Sequence, residues 1–150
     1  MRAVLQNAKS ASVTVDGEVV GKIDRPGLMV LVAAHKEDTA ADAEKMARRI
    51  RDLRIMDSDE GLDAPQVSLA QTGAPALLIS QFTLYGRTKK GTRPSWSDAA
   101  PGPVAEPLFN MVVDALRAAG TEVETGVFGA EMEVALVNNG PVTVIVDTRD

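Results

Sequence analysis

Leu28-Met29-Val30-Leu31-Val32-Ala33-Ala34 is followed closely by a stretch of different rhythm, and that change of period decides the fold class. The run from Leu28 to Ala34 offers no polar position for a solvent face, so it reads as a strand covered on both sides and central in its sheet. Beyond it, Ala43, Met46, Ala47, Ile50 and Leu53 recur at three- and four-residue steps. That spacing predicts a helix, with Thr39 and Asp42 as a capping box at its start and Arg48, Arg49, Arg51 and Asp52 as a solvated outer face. Upstream, residues 2–8 and 12–15 read as strand, Asp16-Gly17 as a hairpin turn, and Val19 to Ile23 as the returning antiparallel strand. Downstream, residues 57–65 form an acidic turn region, and Ala76-Leu77-Leu78-Ile79 begins a second buried strand that runs into Ser80-Gln81-Phe82-Thr83-Leu84.

From Gly86 to Pro103 the chain is rich in Gly, Pro, Lys, Arg and Ser, a loop long enough to suggest function. Leu108, Phe109, Val112, Ala115, Leu116 and Ala119 then predict a second helix, with Pro107 expected in its first turn and Gly120 as its stop. Strands at Glu122–Thr125, Glu131–Val137 and Val142–Val146 close the chain, the last two split by a turn at Asn138-Asn139-Gly140-Pro141. Strands outnumber helices and do not alternate with them, so the class is α+β with a mostly antiparallel sheet, two helices and a single domain over residues 1–150.

Composition narrows the chemistry. Hydrophobic residues make up 45% and charged residues 25% of the chain, the profile of a globular protein, and there is no cysteine. Disulfides, thiolate nucleophiles and cysteine-held metals are thereby excluded, and a single histidine, His35, cannot make a metal cluster; no metal and no cofactor are expected. His35 follows a strand-like run and reads as a strand-end residue rather than a general base. The start, Met1-Arg2-Ala3-Val4-Leu5-Gln6, turns polar too soon for a signal peptide, and no apolar run approaches roughly 18 residues. A cytoplasmic protein without a membrane span is expected. The net charge of -5 is opposite to the broad basic surface of a nucleic-acid binder, so any RNA contact must be local.

Two segments break the rules of the strands around them. Ser80-Gln81-Phe82-Thr83-Leu84 places hydroxyls and an amide at the end of a buried strand, where alternation sends Gln81 and Thr83 to one face and Ser80, Phe82 and Leu84 to the other. This is either a site or a strand turning polar as it surfaces. Asn138-Asn139-Gly140-Pro141-Val142-Thr143 is either a tight turn or a rigid piece of backbone that a ligand can approach closely at Gly140, with a prolyl bond able to lock cis.

The strand end Ser80-Gln81-Phe82-Thr83-Leu84, paired downstream with Asn138-x-Gly140-Pro141-Val142-Thr143, resembles the signature of the D-aminoacyl-tRNA deacylases. The likeness runs nearly end to end, through Ala11-Ser12-Val13-Thr14-Val15-Asp16-Gly17-Glu18-Val19, Gly91-Thr92-Arg93-Pro94-Ser95-Trp96 and Gly126-Val127-Phe128-Gly129-Ala130-Glu131-Met132. Two departures stand out: Asn7, where the family carries an arginine that helps hold the Gly-Pro turn, and Leu62-Asp63-Ala64-Pro65, where it carries a Lys-Met-Asn type of stretch.

The resemblance implies a barrel-like sheet and a homodimer, in which Gly140 and Pro141 of one subunit, joined in cis, enter a pocket beside Ser80 to Leu84 of the other. It implies hydrolysis of D-aminoacyl-tRNA at the acceptor end. An L-residue would be rejected because its Cβ substituent meets the turn, and glycyl-tRNA would pass because glycine has none. Substrate would be held by Ser80, Gln81, Asn138, Gly140, Pro141, Val142 and Thr143, with Ser80 and Gln81 shaping the adenosine and ester pocket. Phe82 would stack on the adenine or simply pack, the commoner fate of a strand phenylalanine. No triad can be assembled comfortably from these residues, so the backbone N–H groups of Phe82 and Thr83 are expected to form an oxyanion hole, with water helped by the 2′-hydroxyl of the tRNA. The Thr83 hydroxyl is the alternative nucleophile, weak without a base beside it. Arg87, Lys89, Lys90 and Arg93 form the basic cluster that could meet acceptor-end phosphates or merely be solvated. Two rival functions fit the same residues: a hydrolase of free esters or D-amino-acid derivatives without RNA, and a non-catalytic dimeric nucleic-acid-binding module.

Overall fold

A computed structural model describes residues 1–140 and 142–150. Pro141, and with it the expected cis bond to Gly140, lies outside the described residues. The organising element is β1 (Arg2–Val15), one continuous strand where the sequence suggested two. Along one edge it pairs antiparallel with β2 (Glu18–Ile23) through the turn at Asp16 and Gly17, both at positive φ, and then with β3 (Gly27–Ala33). Its other edge is covered antiparallel by β6 (Glu133–Asp147). Beyond β3 the sheet continues in parallel with β4 (Ala76–Ser80) and β5 (Val123–Thr125). Curling of the sheet brings β5 back against β2, where a Cβ on Gly21 would stand 2.3 Å from the Thr125 carbonyl oxygen. The sheet is thus barrel-like and nearly closed, within an α+β fold as expected.

Burial on both faces of β3 is borne out. Leu28, Val30 and Val32 face the helices, together with Met46, Ile50, Leu78, Val112 and Leu116. Met29 joins Val13, Ile23, Leu77 and Ile79 in a second cluster on the concave side, with Leu31 packed against it. The first helix, α1 (Ala40–Asp52), buries the anticipated Ala43, Met46, Ala47 and Ile50, and the Asp42 carboxylate accepts from the Thr39 N–H at 3.0 Å. A short helix, α2 (Leu69–Thr72), was not foreseen, although Ser68 and Gln71 cap it reciprocally. It is too short for any hydrophobic period to register.

Other boundaries move for physical reasons. The last helix, α3 (Gly102–Ala118), starts a turn earlier than expected, so Pro107 lies inside it. Both Pro107 and Pro103, whose carbonyl loses its donor, are exposed, and water can serve that oxygen. The strand expected to reach Leu84 ends at Ser80, and Phe82–Tyr85 is a turn of 3₁₀ helix. The alternation expected for Gln81 to Leu84 is therefore replaced by a helical arrangement. The hairpin turn expected at residues 138–141 is likewise absent, because β6 runs through it as a bulged strand. Gln6 pairs with Thr143 and Ala8 with Asn138, so the register shifts between these two pairs as it does at a bulge.

Candidate active site

The 3₁₀ turn at Phe82–Tyr85 is anchored where it leaves the sheet, since the Gln81 N–H donates to the Val32 carbonyl at 2.8 Å. Within and after it, Leu84 N–H donates to the Gln81 carbonyl at 3.2 Å and Gly86 N–H to the Thr83 carbonyl at 3.0 Å. The first N–H groups of any helix have no partner inside it. Here those are Phe82 and Thr83, and among the described residues neither N–H finds an acceptor. Two neighbouring backbone donors are thus left without acceptors at the start of the turn, an arrangement able to receive developing negative charge on oxygen.

Phe82, the first of these donors, with Thr83 following it in the turn, lines a cavity of about 490 Å³. Its walls are Ser80, Gln81 and Phe82 on one side, Gly102, Ala105 and Phe109 of α3 on another, and Phe128, Gly129, Ala130 and Met132 on a third. Small side chains leave the room and aromatic ones line it; Phe109 and Phe128 have ring centroids 6.4 Å apart at 51°. A flat, largely apolar ring system suits such a space. Phe128 and Phe109 carry no role in the sequence reading of the site. The one signal for Phe128 was its place between glycines: a Cβ at Gly126 would lie 2.5 Å from the Met132 sulfur, and Gly129 has φ +76°.

The polar side chains of the turn are mutually engaged. The Gln81 amide donates to the Thr83 hydroxyl oxygen at 2.5 Å, and no basic group contacts that hydroxyl among the described residues. Thr83 therefore lacks what a side-chain nucleophile needs. Phe82 is 55% exposed rather than packed in the core, with its ring edge-to-face on Trp96 at 5.9 Å. Its strand-like fate failed because the strand ended before it. Behind the turn the Tyr85 hydroxyl is buried without a partner among the described residues, and burial pushes its pKa well up. Arg2 lies over the Tyr85 ring at 4.6 Å and donates to the Leu84 carbonyl at 2.9 Å. His35 stands just past the end of β3, its Nδ1 accepting from the Glu37 N–H at 3.1 Å, and lines no part of the cavity.

Within one chain the second predicted group does not reach this cavity. Asn138, Gly140, Val142 and Thr143 lie on β6 beside β1. There Gln6, which the sequence reading passed over, gathers them: its amide donates to the Asn138 side-chain oxygen and, at 3.2 Å, to the Val142 carbonyl, and it accepts from the Thr143 hydroxyl. Asn7 joins this group through its main-chain carbonyl, which accepts from the Gln6 amide at 3.2 Å, while its side chain, 3% exposed, donates to the Ile55 carbonyl at 3.0 Å. Asn139 instead reaches Asp57 at 3.2 Å. In the basic loop, Arg87 is held by both oxygens of Asp98 at 2.6 Å, and this bond keeps the Asp98 carboxyl below its usual range. Lys89, Lys90 and Arg93 are exposed and make no ion pair among the described residues. No helix of the described residues is long and apolar enough to cross a membrane.

Comparison with known proteins places this geometry. The D-aminoacyl-tRNA deacylase of Thermobifida fusca is 55% identical over 147 residues, covering 98% of this chain and 99% of its own. A solved structure described as a c-Myc DNA Unwinding Element Binding Protein superposes with a TM-score of 0.90 at 35% identity, covering 99% of each chain. A second, described as a probable eukaryotic D-amino acid tRNA deacylase, shares the fold at 17% identity, with a TM-score of 0.86 over 97% of each chain. The model of the D-Tyr-tRNA(Tyr) deacylase family matches residues 4–147, and the chain belongs to that family.

Proposed function

We propose that this chain hydrolyses the ester that joins a D-amino acid to the acceptor end of tRNA, and that it does so with backbone rather than with a catalytic side chain. The observation that carries this reading is the pair of adjacent N–H groups without acceptors among the described residues, on Phe82, which lines the cavity, and on Thr83, which follows it in the turn. Water attacks the ester carbonyl, and the oxyanion of the tetrahedral intermediate is received by those two donors. On collapse the bond to the ribose oxygen breaks; the amino acid keeps the water's hydroxyl, and the proton passes to the ribose oxygen through the adjacent 2′-hydroxyl. The terminal adenosine occupies the cavity between Phe109 and Phe128, with Ser80 and Gln81 at its polar edge.

Chirality is read by a second copy of the chain, whose Gly140-Pro141 segment closes the mouth and leaves an L side chain no room. Support comes from β6 itself: among the described residues it pairs only with β1, and it exposes Val137 at 53% and Ile145 at 71% on a flank a second copy can cover. Gln6 holds Asn138, Val142 and Thr143 in one arrangement, as a rigid filter requires. Glycine carries no Cβ, so glycyl-tRNA is also a substrate. Lys89, Lys90 and Arg93 meet the acceptor-end phosphates, while Arg87 closes the loop.

The deciding experiment is deacylation of matched D- and L-tyrosyl-tRNA. The D-form is cleaved and the L-form spared; equal rates for both, or none for either, overturn the reading. A D-tyrosine ethyl ester cleaved as fast as the tRNA ester would favour the RNA-free hydrolase. Likeness at 35% identity to a DNA-unwinding-element binding protein favours a second reading, a nucleic-acid-binding module. Unchanged nucleic-acid binding and unchanged activities after Thr83→Ala with Gly140→Ala would support that alternative.

A further inference from the structure

A 3₁₀ turn of four residues has poor hydrogen-bond geometry and does not hold its own shape. Its start is fixed by the sheet through Gln81 and Val32. Its exit is fixed from a distant part of the chain. Arg2, the first residue of β1, sends Nη1 to the Leu84 carbonyl at 2.9 Å and Nε to Asp147 Oδ2 at 2.9 Å, with its guanidinium 4.6 Å from the centre of the Tyr85 ring. Arg2 and Asp147 are also direct partners in the ladder between β1 and β6, and the Asp147 side chain is only 8% exposed. One planar fork therefore joins β6, through Asp147, to the Leu84 carbonyl of the turn that carries the Phe82 and Thr83 N–H groups.

We propose that Arg2 is a positioning residue for the deacylation, acting by holding the exit of the Phe82–Tyr85 turn so that the Phe82 and Thr83 N–H groups keep their aim; this rests on the oxyanion-hole reading above. Without Arg2 the Leu84 carbonyl is free to swing, and rotation of the peptide planes next to it turns the donors at the other end of so short a turn. Arg2 is not among the residues that line the cavity, so ground-state binding is spared. The loss falls on the rate at saturation, the mark of an interaction made in the transition state. A lysine cannot replace the fork, because one ammonium cannot serve the Asp147 carboxylate, the Leu84 carbonyl and the ring face together.

The test uses the full-length protein and D-tyrosyl-tRNA, comparing wild type with Arg2→Met, Arg2→Lys, Asp147→Asn and the Arg2→Met/Asp147→Asn pair. Arg2→Met lowers kcat by about tenfold to a hundredfold, as small displacements of catalytic geometry do, with KM changed by less than about threefold. Arg2→Lys keeps charge and fold and falls between wild type and Arg2→Met. Asp147→Asn shifts kcat in the same direction, and the pair is no slower than Arg2→Met alone, because both changes break one linkage. A wild-type kcat in Arg2→Met and Arg2→Lys overturns the proposal, as does a loss fully explained by a smaller folded fraction in thermal melts, or one carried by KM. Failure of the oxyanion reading is told apart by the wild type: if it does not discriminate D from L, that reading falls, whereas a discriminating wild type with an indifferent Arg2 removes this inference alone.

Discussion

Gln81 and Thr83 show how polar side chains in a turn can engage one another. The amide of one donates to the hydroxyl of the other, and on the proposed mechanism the N–H groups of Phe82 and Thr83, which have no acceptor among the described residues, receive the oxyanion. Thr83→Ala is therefore expected to retain deacylation within about tenfold, since no oxyanion donor is removed. Phe82→Pro removes a donor while keeping the φ suited to the first position of a helix, and its preceding residue, Gln81, is outside the helical region at φ -145° and ψ 80°. Measured against Phe82→Ala, which controls for the ring, Phe82→Pro should lower kcat by roughly a hundredfold or more. Equal rates for the two variants would remove the backbone from the mechanism.

Sheet closure is decided by the meeting of elements, and Gly21 is where β2 meets β5. A side chain there would press on the Thr125 carbonyl at 2.3 Å, and backbone on both sides cannot yield cheaply. Gly21→Ala should cost about 1–3 kcal/mol, read as a lower urea midpoint with an unchanged slope. Gly102→Ala, whose new Cβ would meet only the Phe128 ring at 4.0 Å, is the neutral control. The start of α1 carries a second element-scale test. Burial pushes the Asp42 carboxyl up, but the Thr39 N–H, the Thr148 hydroxyl, the Met1 ammonium and Arg149 together outweigh it and hold the group below its usual range. A depressed carboxyl contributes its stability above the unfolded pKa, about 3.9, and loses it as pH falls through the lower folded value. Urea midpoints should therefore drop below about pH 4, and less steeply in Asp42→Asn; coincident profiles would sever that link.

At the scale of the whole molecule, a net charge of -5 must still admit a polyanion. With Arg87 engaged by Asp98, three exposed cations remain in the loop: Lys89, Lys90 and Arg93. Three phosphate contacts on a single strand correspond to a slope of about -2 in log KM-derived affinity against log salt. Replacing all three by serine should flatten that slope without changing kcat, and an unchanged slope would clear the loop of any RNA role. Such a shallow dependence follows only from knowing which basic residues are already paired.

Much of this protein was legible in its sequence, because periodicity and turn chemistry belong to neighbours along the chain. The doubly buried β3, the helix at residues 40–52 and the Asp16-Gly17 hairpin follow from spacing and from residues that tolerate positive φ. Family membership rested on two short motifs, and matching over residues 4–147 agrees with it. What only the tertiary structure decided lies between residues far apart in the chain. Asn138 to Thr143 looks like a turn, yet β1 at its flank supplies ladder partners on both sides of the bulge and keeps the strand continuous. Ser80 to Leu84 looks like a strand, yet after Ser80 the chain enters a 3₁₀ turn in which the Phe82 and Thr83 N–H groups have no acceptor among the described residues and the Leu84 carbonyl accepts from Arg2. Local pattern states what each segment prefers; which carbonyl or carboxylate stands opposite is set by packing, and the site is built from those oppositions.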